Sequence, residues 1–316
     1  MLLKEIIEIY KLLDSSRITG HDIKKYLVGI RDVDVDISIN TLKTEKGSTD
    51  LVRIMIPGTN GKIKGGKAPT LGVLGRLGGI GARPEVTGFV SDGDGALIVL
   101  AVAAKILDMN NKGDFLKGDV VISTHICPDA PTIPHEPVPF MDSPIDMSTM
   151  NKEEVKGDLD SILSVDTTKG NRIISHNGFA ISPTVKEGFI LRVSEDLLDI
   201  MERTTGSSPK VLPITNQDIT PYGNNLFHIN SIMQPSTSTT APVVGVAVTT
   251  ESIVAGCATG STHPFDVEQC ARFVLEVCKD FGENRISFYD KNEWEIIKQK
   301  YGSLRILQTQ GNEGLK

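Results

Sequence analysis

Phe89-Val-Ser-Asp-Gly-Asp-Gly-Ala-Leu-Ile-Val-Leu-Ala-Val-Ala-Ala-Lys-Ile-Leu107 is the stretch on which the fold turns. An apolar lead-in ends in two acids set between glycines, Asp92 and Asp94, and an almost uninterrupted apolar run follows. A membrane span needs about 20 such residues. The run from Ala96 to Leu107 is shorter, and it suits a helix buried on all sides. A strand over 86–90 that passes through this turn into a buried helix is one unit of an α/β fold.

The same alternation extends outward from it. Residues 2–13 place Leu2, Leu3, Ile6, Ile7, Ile9, Tyr10 and Leu13 mainly on one helical face, and a second helix is expected near His21 to Val28. Residues 33–39 alternate with period two, and 51–56 reads as a buried strand. Downstream, strands are expected at 119–126, 161–165, 210–214 and 243–249, and helices at 96–108 and 194–203. A last helix begins near Asp266 and turns Val267, Cys270, Ala271, Val274, Val277, Cys278 and Phe281 inward. This order predicts a three-layer α/β/α architecture with a mostly parallel central sheet. No repeat or linker-like shift in composition divides residues 1–316, which read as one domain. Within it, 128–147 is a proline-rich ordered loop, and Pro235 to Pro242 is a polar loop.

The chain has 316 residues and a formal charge of −7, with an isoelectric point near 5.5. That balance argues against nucleic acid or an anionic membrane as partner, since both require a positive surface. Cys127, Cys257, Cys270 and Cys278 form no CxxC pair and fit reduced core residues of a cytoplasmic protein. The amino terminus, with Glu5 and Glu8 in an amphipathic pattern, is unlike a signal peptide.

Ligands of open α/β sheets bind at the carboxyl ends of the strands. Asp92 lies at one such end, followed by Ser123-Thr-His-Ile-Cys-Pro-Asp129, Ser164-Val-Asp166 and Thr259-Gly-Ser-Thr-His263. Taken singly, each is as readily a turn with solvated acids or a helix cap. Together, Asp92, Asp129, Asp166 and His263 are expected to converge on one rim and hold a divalent cation. His125 shares a strand face with Cys127 and Asp129, so it points into the site or packs as a buried structural histidine.

The order of these segments resembles the co-catalytic zinc exopeptidases, which include the glutamyl and leucyl aminopeptidases and the carboxypeptidase G type enzymes. SDGDGALIVLAVAAKIL is similar to their bridging aspartate and buried helix, and GDVVISTHICPD to their strand ending in a Glu-Glu pair. SVDTTKGNRIISHNGFAISP is similar to their later aspartate ligand and glycine turn, and STHPFDVEQCARFVLEVC to their last histidine ligand and terminal helix. The near relatives are expected to form an uncharacterised bacterial and archaeal family. The resemblance implies zinc or another divalent metal, one or two per chain, with Asp92 bridging, Asp129 and His263 on one ion and Asp166 on the other. It implies hydrolysis of a peptide or amide bond in a small peptide or amino-acid-derived substrate, with homo-oligomerisation left open.

Two departures weaken that implication. Pro57-Gly-Thr-Asn60 stands where those enzymes carry an early His-x-Asp, and Pro128 stands where they carry the general base. His125 and Glu136 are the substitutes for proton transfer, and losing a base forfeits a factor of roughly 10²–10⁴ in rate. A former peptidase that binds an amino-acid-like ligand or a partner without hydrolysis is therefore the alternative. Asp218, Asn177 and Lys62 are the candidate substrate contacts.

Gly58-Thr-Asn-Gly-Lys-Ile-Lys-Gly-Gly-Lys67 is similar in its first letters to the ATP loop of the Mur ligases and folylpolyglutamate synthases. Such loops need Ser or Thr directly after the lysine, and here Ile63 follows Lys62. The loop is expected to border the site without binding nucleotide, with Lys62 or Lys67 neutralising Asp92 and Asp166.

Overall fold

The computed structural model describes residues 1–30, 35–76, 88–134, 140–168, 170, 174–214, 231–252 and 261–308. The chain opens with helices α1 (Leu3–Leu13) and α2 (Gly20–Ile30), then a hairpin of β1 (Asp36–Thr44) and β2 (Gly47–Ile56). Strand β3 (Thr70–Gly75), helix α3 (Asp94–Asn111) and strand β4 (Asp119–Ile126) follow. A short pair, β5 (Thr132–Ile133) and β6 (Phe140–Met141), leads to helix α4 (Met147–Glu154) and strand β7 (Ser161–Thr167). Strands β8 (Gly178–Ile181), β9 (Val185–Lys186) and β10 (Phe189–Ile190) precede helix α5 (Glu195–Thr205). Strand β11 (Val243–Thr249) and helices α6 (Pro264–Gly282) and α7 (Lys291–Tyr301) complete the described elements.

Nine of these strands form one sheet in the order β1-β2-β4-β3-β7-β11-β9-β10, with β8 also on β11. Strands β4, β3, β7 and β11 are mutually parallel, as the strand–helix alternation predicts. The margins are antiparallel, because β1 and β2 are joined by a tight turn and β8 to β10 by short connections. Helix α3 is buried through Ala96–Ala104 and lies on one face of the sheet, flanked by α1 and α6. All seven residues expected inward on α6 are buried. The opposite face is covered by α4 and a 3-10 helix at Ser231–Thr237. No described helix is long and apolar enough to cross a membrane.

Several expectations are corrected. Strand β3 went unread, because Thr70-Leu-Gly-Val-Leu-Gly75 is short and glycine-rich. The strand placed at 86–90 is absent over 88–90, and 86–87 lie outside the described residues. Residues 210–214 form only an isolated bridge between Val211 and Ile181. The tract from Pro235 begins inside a 3-10 helix that packs against β7 and β11 and in which Pro235 and Ser236 are buried.

The glycine-lysine loop is also in a different place from the one expected. Strand β2 runs antiparallel to β4, so Ile56 pairs with Val120 at the amino end of β4. Gly58 N and Ile63 N both donate to the Asp119 carboxylate at 2.9 Å, and a Cβ at Gly61 would fall inside that carboxylate. Lys62 Nζ donates to Asp158 and Asp160 at 2.9 Å each. Asp160 precedes β7 and Asp166 sits near its end, about 20 Å away along an extended strand. Lys62 therefore does not neutralise Asp166.

At the first turn of α3 the helix backbone lies directly against the strand ends, with the Val99 side chain over Gly75. A Cβ at Gly95 would stand 2.6 Å from the carbonyl oxygens of Arg76 and Val165, and one at Gly75 would stand 2.7 Å from the Gly95 carbonyl oxygen. Gly95→Ala is expected to cost about 1–3 kcal/mol or more, since the obstructing atoms are backbone. Urea unfolding measures this, and wild-type stability in the variant would refute the contact.

Candidate functional site at the carboxyl ends of the parallel strands

Register brings one row of side chains across the sheet. Asn40 faces Leu51, Leu51 faces His125, and Asp166 faces Ala247. Gly75 pairs with both Thr124 and Val165, so the next residue, Arg76, falls between His125 and Asp166. The Arg76 N–H donates to the Val165 carbonyl at 2.8 Å, which continues the ladder by one step. By strand alternation this row points to the face covered by α4 and the 231–237 helix.

Arg76 is fully buried, and α4 supplies its counter-charge. Its Nη1 donates to Glu154 Oε2 at 2.5 Å and to Asn151 Oδ1 at 2.8 Å. Asp146 caps the start of α4 by accepting from Thr149 N at 2.8 Å, which fixes where Asn151 and Glu154 fall. Burial raises the pKa of Glu154, and the Arg76 guanidinium opposes that rise. His125, also buried, has Nδ1 3.3 Å from Thr49 Oγ1. Burial, with the Arg76 charge second, depresses its pKa from 6.5 to about 4, so the imidazole is neutral at pH 7.

This layer leaves many polar atoms without partners among the described residues. They include Arg76 Nε and Nη2, His125 Nε2, Glu154 Oε1, Ser164 Oγ, both polar side-chain atoms of Gln234, and Thr249 Oγ1. An unsatisfied buried group costs about 1–3 kcal/mol, so a cluster of them marks a place for water or a ligand. Nε and Nη2 form the side-on edge of the guanidinium, the fork that matches a carboxylate with two parallel bonds. Beside the layer, a cavity of about 180 Å³ is bordered by Arg53, Ser123, Glu153 and Glu154.

On the other face, Asp94 joins three distant segments. Its Oδ1 accepts from Thr262 Oγ1 at 2.8 Å and its Oδ2 from Thr167 Oγ1 at 3.3 Å. The segments carrying Asp92, Asp166 and His263 therefore meet near one end of the sheet. The side chains do not assemble into the expected centre. Asp92 and Asp166 are buried, whereas Asp129 and His263 are exposed. Asp166 accepts from Thr167 N at 2.7 Å and from Ser231 Oγ at 3.4 Å. Among the described residues no three His, Cys, Asp or Glu side chains form a group able to hold a metal ion, so the described donor set does not fit the implied two-ion centre.

The other candidates divide as follows. Asn177 is exposed and precedes Gly178, which pairs with Thr249 at the carboxyl end of β11. Lys62 is at the opposite end of the sheet, while Glu136 and Asp218 lie outside the described residues. Cys127 donates to the Ser48 carbonyl at 3.4 Å, and burial pushes its thiol up to about 12, as befits a packed cysteine. Arg76, Asn151, Glu154 and Gln234 were not anticipated. Arg76 had a legible signal, a single cation closing the apolar run Thr70 to Gly75.

The model of a family described as "Protein of unknown function (DUF1177)" matches residues 40–311. The chain belongs to that family. No curated protein matches the sequence. Solved structures similar to this DUF1177 chain include the LapA aminopeptidase of Legionella pneumophila, at 12% identity and a TM-score of 0.47, covering 92% of this chain and 70% of that one. A glutaminyl cyclase from Macrostomum lignano matches at 14% identity and a TM-score of 0.49, covering 90% of each chain. At these levels the assignment of the DUF1177 site stands on this chain's own residues.

Two measurements probe the layer. Arg76→Met strands the Glu154 charge and is expected to cost about 3–5 kcal/mol, with most of the loss recovered in Arg76→Met/Glu154→Gln. Equal stability of the single and double variants in urea would dismiss the pair. The unfolded His125 takes up its proton near pH 6.5 and the folded one only near 4, so folding stability falls as pH drops through that interval. The loss approaches roughly 3 kcal/mol at about 1.4 kcal/mol per unit. His125→Gln should flatten the slope, and an unchanged slope would count against a neutral buried imidazole.

Proposed function

We propose that this chain binds a small amino-acid-like ligand through its carboxylate, on an α/β scaffold related to the zinc exopeptidases but without their two-ion hydrolytic centre. The unpartnered Nε and Nη2 edge of buried Arg76 carries this reading, because that edge is shaped for a carboxylate. Glu154 Oε1, also unpartnered, is an acceptor suited to a ligand amine. Ser164, Gln234 and the neutral His125 add donors and acceptors for an amide. Pro128, in the place of a carboxylate base, supports binding over hydrolysis.

Hydrolysis of a peptide or amide bond in a small substrate is the second reading. It is favoured by the meeting of the Asp94, Thr167 and Thr262 segments at one end of the sheet. Zinc or another divalent ion belongs to this reading alone.

Calorimetric titration with amino acids, dipeptides and their carboxamide counterparts separates the two. Free carboxylates are expected to bind saturably, and capping the carboxylate should weaken binding by about tenfold or more, the worth of a charge-assisted pair. Equal binding of acids and amides would overturn the first reading. Two zinc ions per chain by elemental analysis, with chelator-sensitive cleavage of the dipeptides, would establish the second.

A further inference from the structure

The lysines of Gly58 to Lys67 take no part in the site above, yet they border a cavity of their own. It has a volume of about 300 Å³ and lies at the amino end of β7, lined by Lys62, Lys67, Lys291, Phe281, Phe288 and Tyr289. Asp160 is the one acid on its wall among the described residues, and it is already engaged by Thr70 N at 2.7 Å and Lys62 Nζ at 2.9 Å. Lys67 and Lys291 are exposed and have no ion pair among the described residues. Lys62 is held by Asp158 and Asp160 at 2.9 Å each, which leaves Lys67 and Lys291 as the two ammonium groups around the hollow without an ion pair among the described residues. The hollow therefore carries positive charge on a chain whose formal balance is negative.

The wall chemistry narrows the ligand. Phe281 and Phe288 are buried and meet edge to face with centroids 5.3 Å apart, so the half-buried Tyr289 is the aromatic side chain that the hollow presents. A ring can pack there while an anionic group faces the lysines. Lysine is a point charge without the planar fork of arginine, so it suits a phosphate as well as a carboxylate, and the two left by the Lys62 pairs match a doubly charged group. The backbone N–H groups of Gly58 and Ile63 are not available to it, because Asp119 accepts both. Recognition would thus come from side chains alone, unlike a phosphate loop.

We propose that this cavity binds a small organic anion in which a ring carries a phosphate. The site is independent of the carboxylate site, since Asp160 and Asp166 mark opposite ends of one strand.

Phenyl phosphate is the probe, with inorganic phosphate as its comparison, titrated calorimetrically into the full chain at low and at moderate salt. Saturable binding of phenyl phosphate is expected, weaker at the higher salt, with inorganic phosphate binding at least several-fold less tightly. Lys67→Ala/Lys291→Ala removes two exposed side chains and should lower affinity by about tenfold or more while leaving amino-acid binding unchanged. Absence of saturable binding, undiminished affinity in the double variant, or equal affinity for inorganic phosphate would each overturn the proposal. Failure of amino-acid binding alone would bear only on the other site.

Discussion

The bare contact between Gly95 of α3 and the backbone of Arg76 and Val165 is the constraint on which the rest depends. With no Cβ on either side at Gly75 and Gly95, the first turn of the helix rests directly on two strand ends. This sets Asp94 within reach of Thr167 and Thr262, and it leaves the Arg76 side chain no room on the helix face. Arg76 must therefore project to the other side, into the layer under α4. One steric fact thus places Asp94 on one face of the sheet and the buried cation on the other.

That cation is costly to bury. A guanidinium with one carboxylate partner and an unsatisfied edge among the described residues gains little net stability, since desolvation offsets most of the attraction. A well-packed apolar side chain would serve a purely structural role better. The neighbouring His125, held neutral, and the unpartnered Ser164 and Gln234 show the same pattern of polarity retained where packing alone would favour hydrocarbon. Buried polar groups that are only partly satisfied belong to sites rather than to cores.

Much of the framework was legible because its signals are local. The uniform apolarity of α3, the inward stripe of α6, and the boundaries of β4 and β11 follow from periodicity and length, and the structure matches them. Strand β3 was not legible, as two glycines in six residues mask its β-propensity. With β3 unread, Arg76 had no place in the sheet and the central residue of the site was missed. The direction of β2 was likewise hidden. Nothing in 51–56 distinguishes parallel from antiparallel pairing, and that choice moved the glycine-lysine loop from one end of the sheet to the other. The meeting of the 91–94, 166–167 and 261–263 segments was readable from their positions at element ends, whereas the orientation of Asp129 and His263 toward solvent was not.

Asp119 gives the glycine-lysine loop a permanent occupant. In phosphate loops the cradle of backbone N–H groups is completed by a visiting anion, so its shape depends on what the cell supplies. Here the chain closes the cradle with its own carboxylate, that of the first residue of β4. The loop is thereby set when the sheet forms, and its geometry is indifferent to metabolite levels. A segment that spells out a nucleotide grip has become a rivet, tying an edge hairpin to the parallel core.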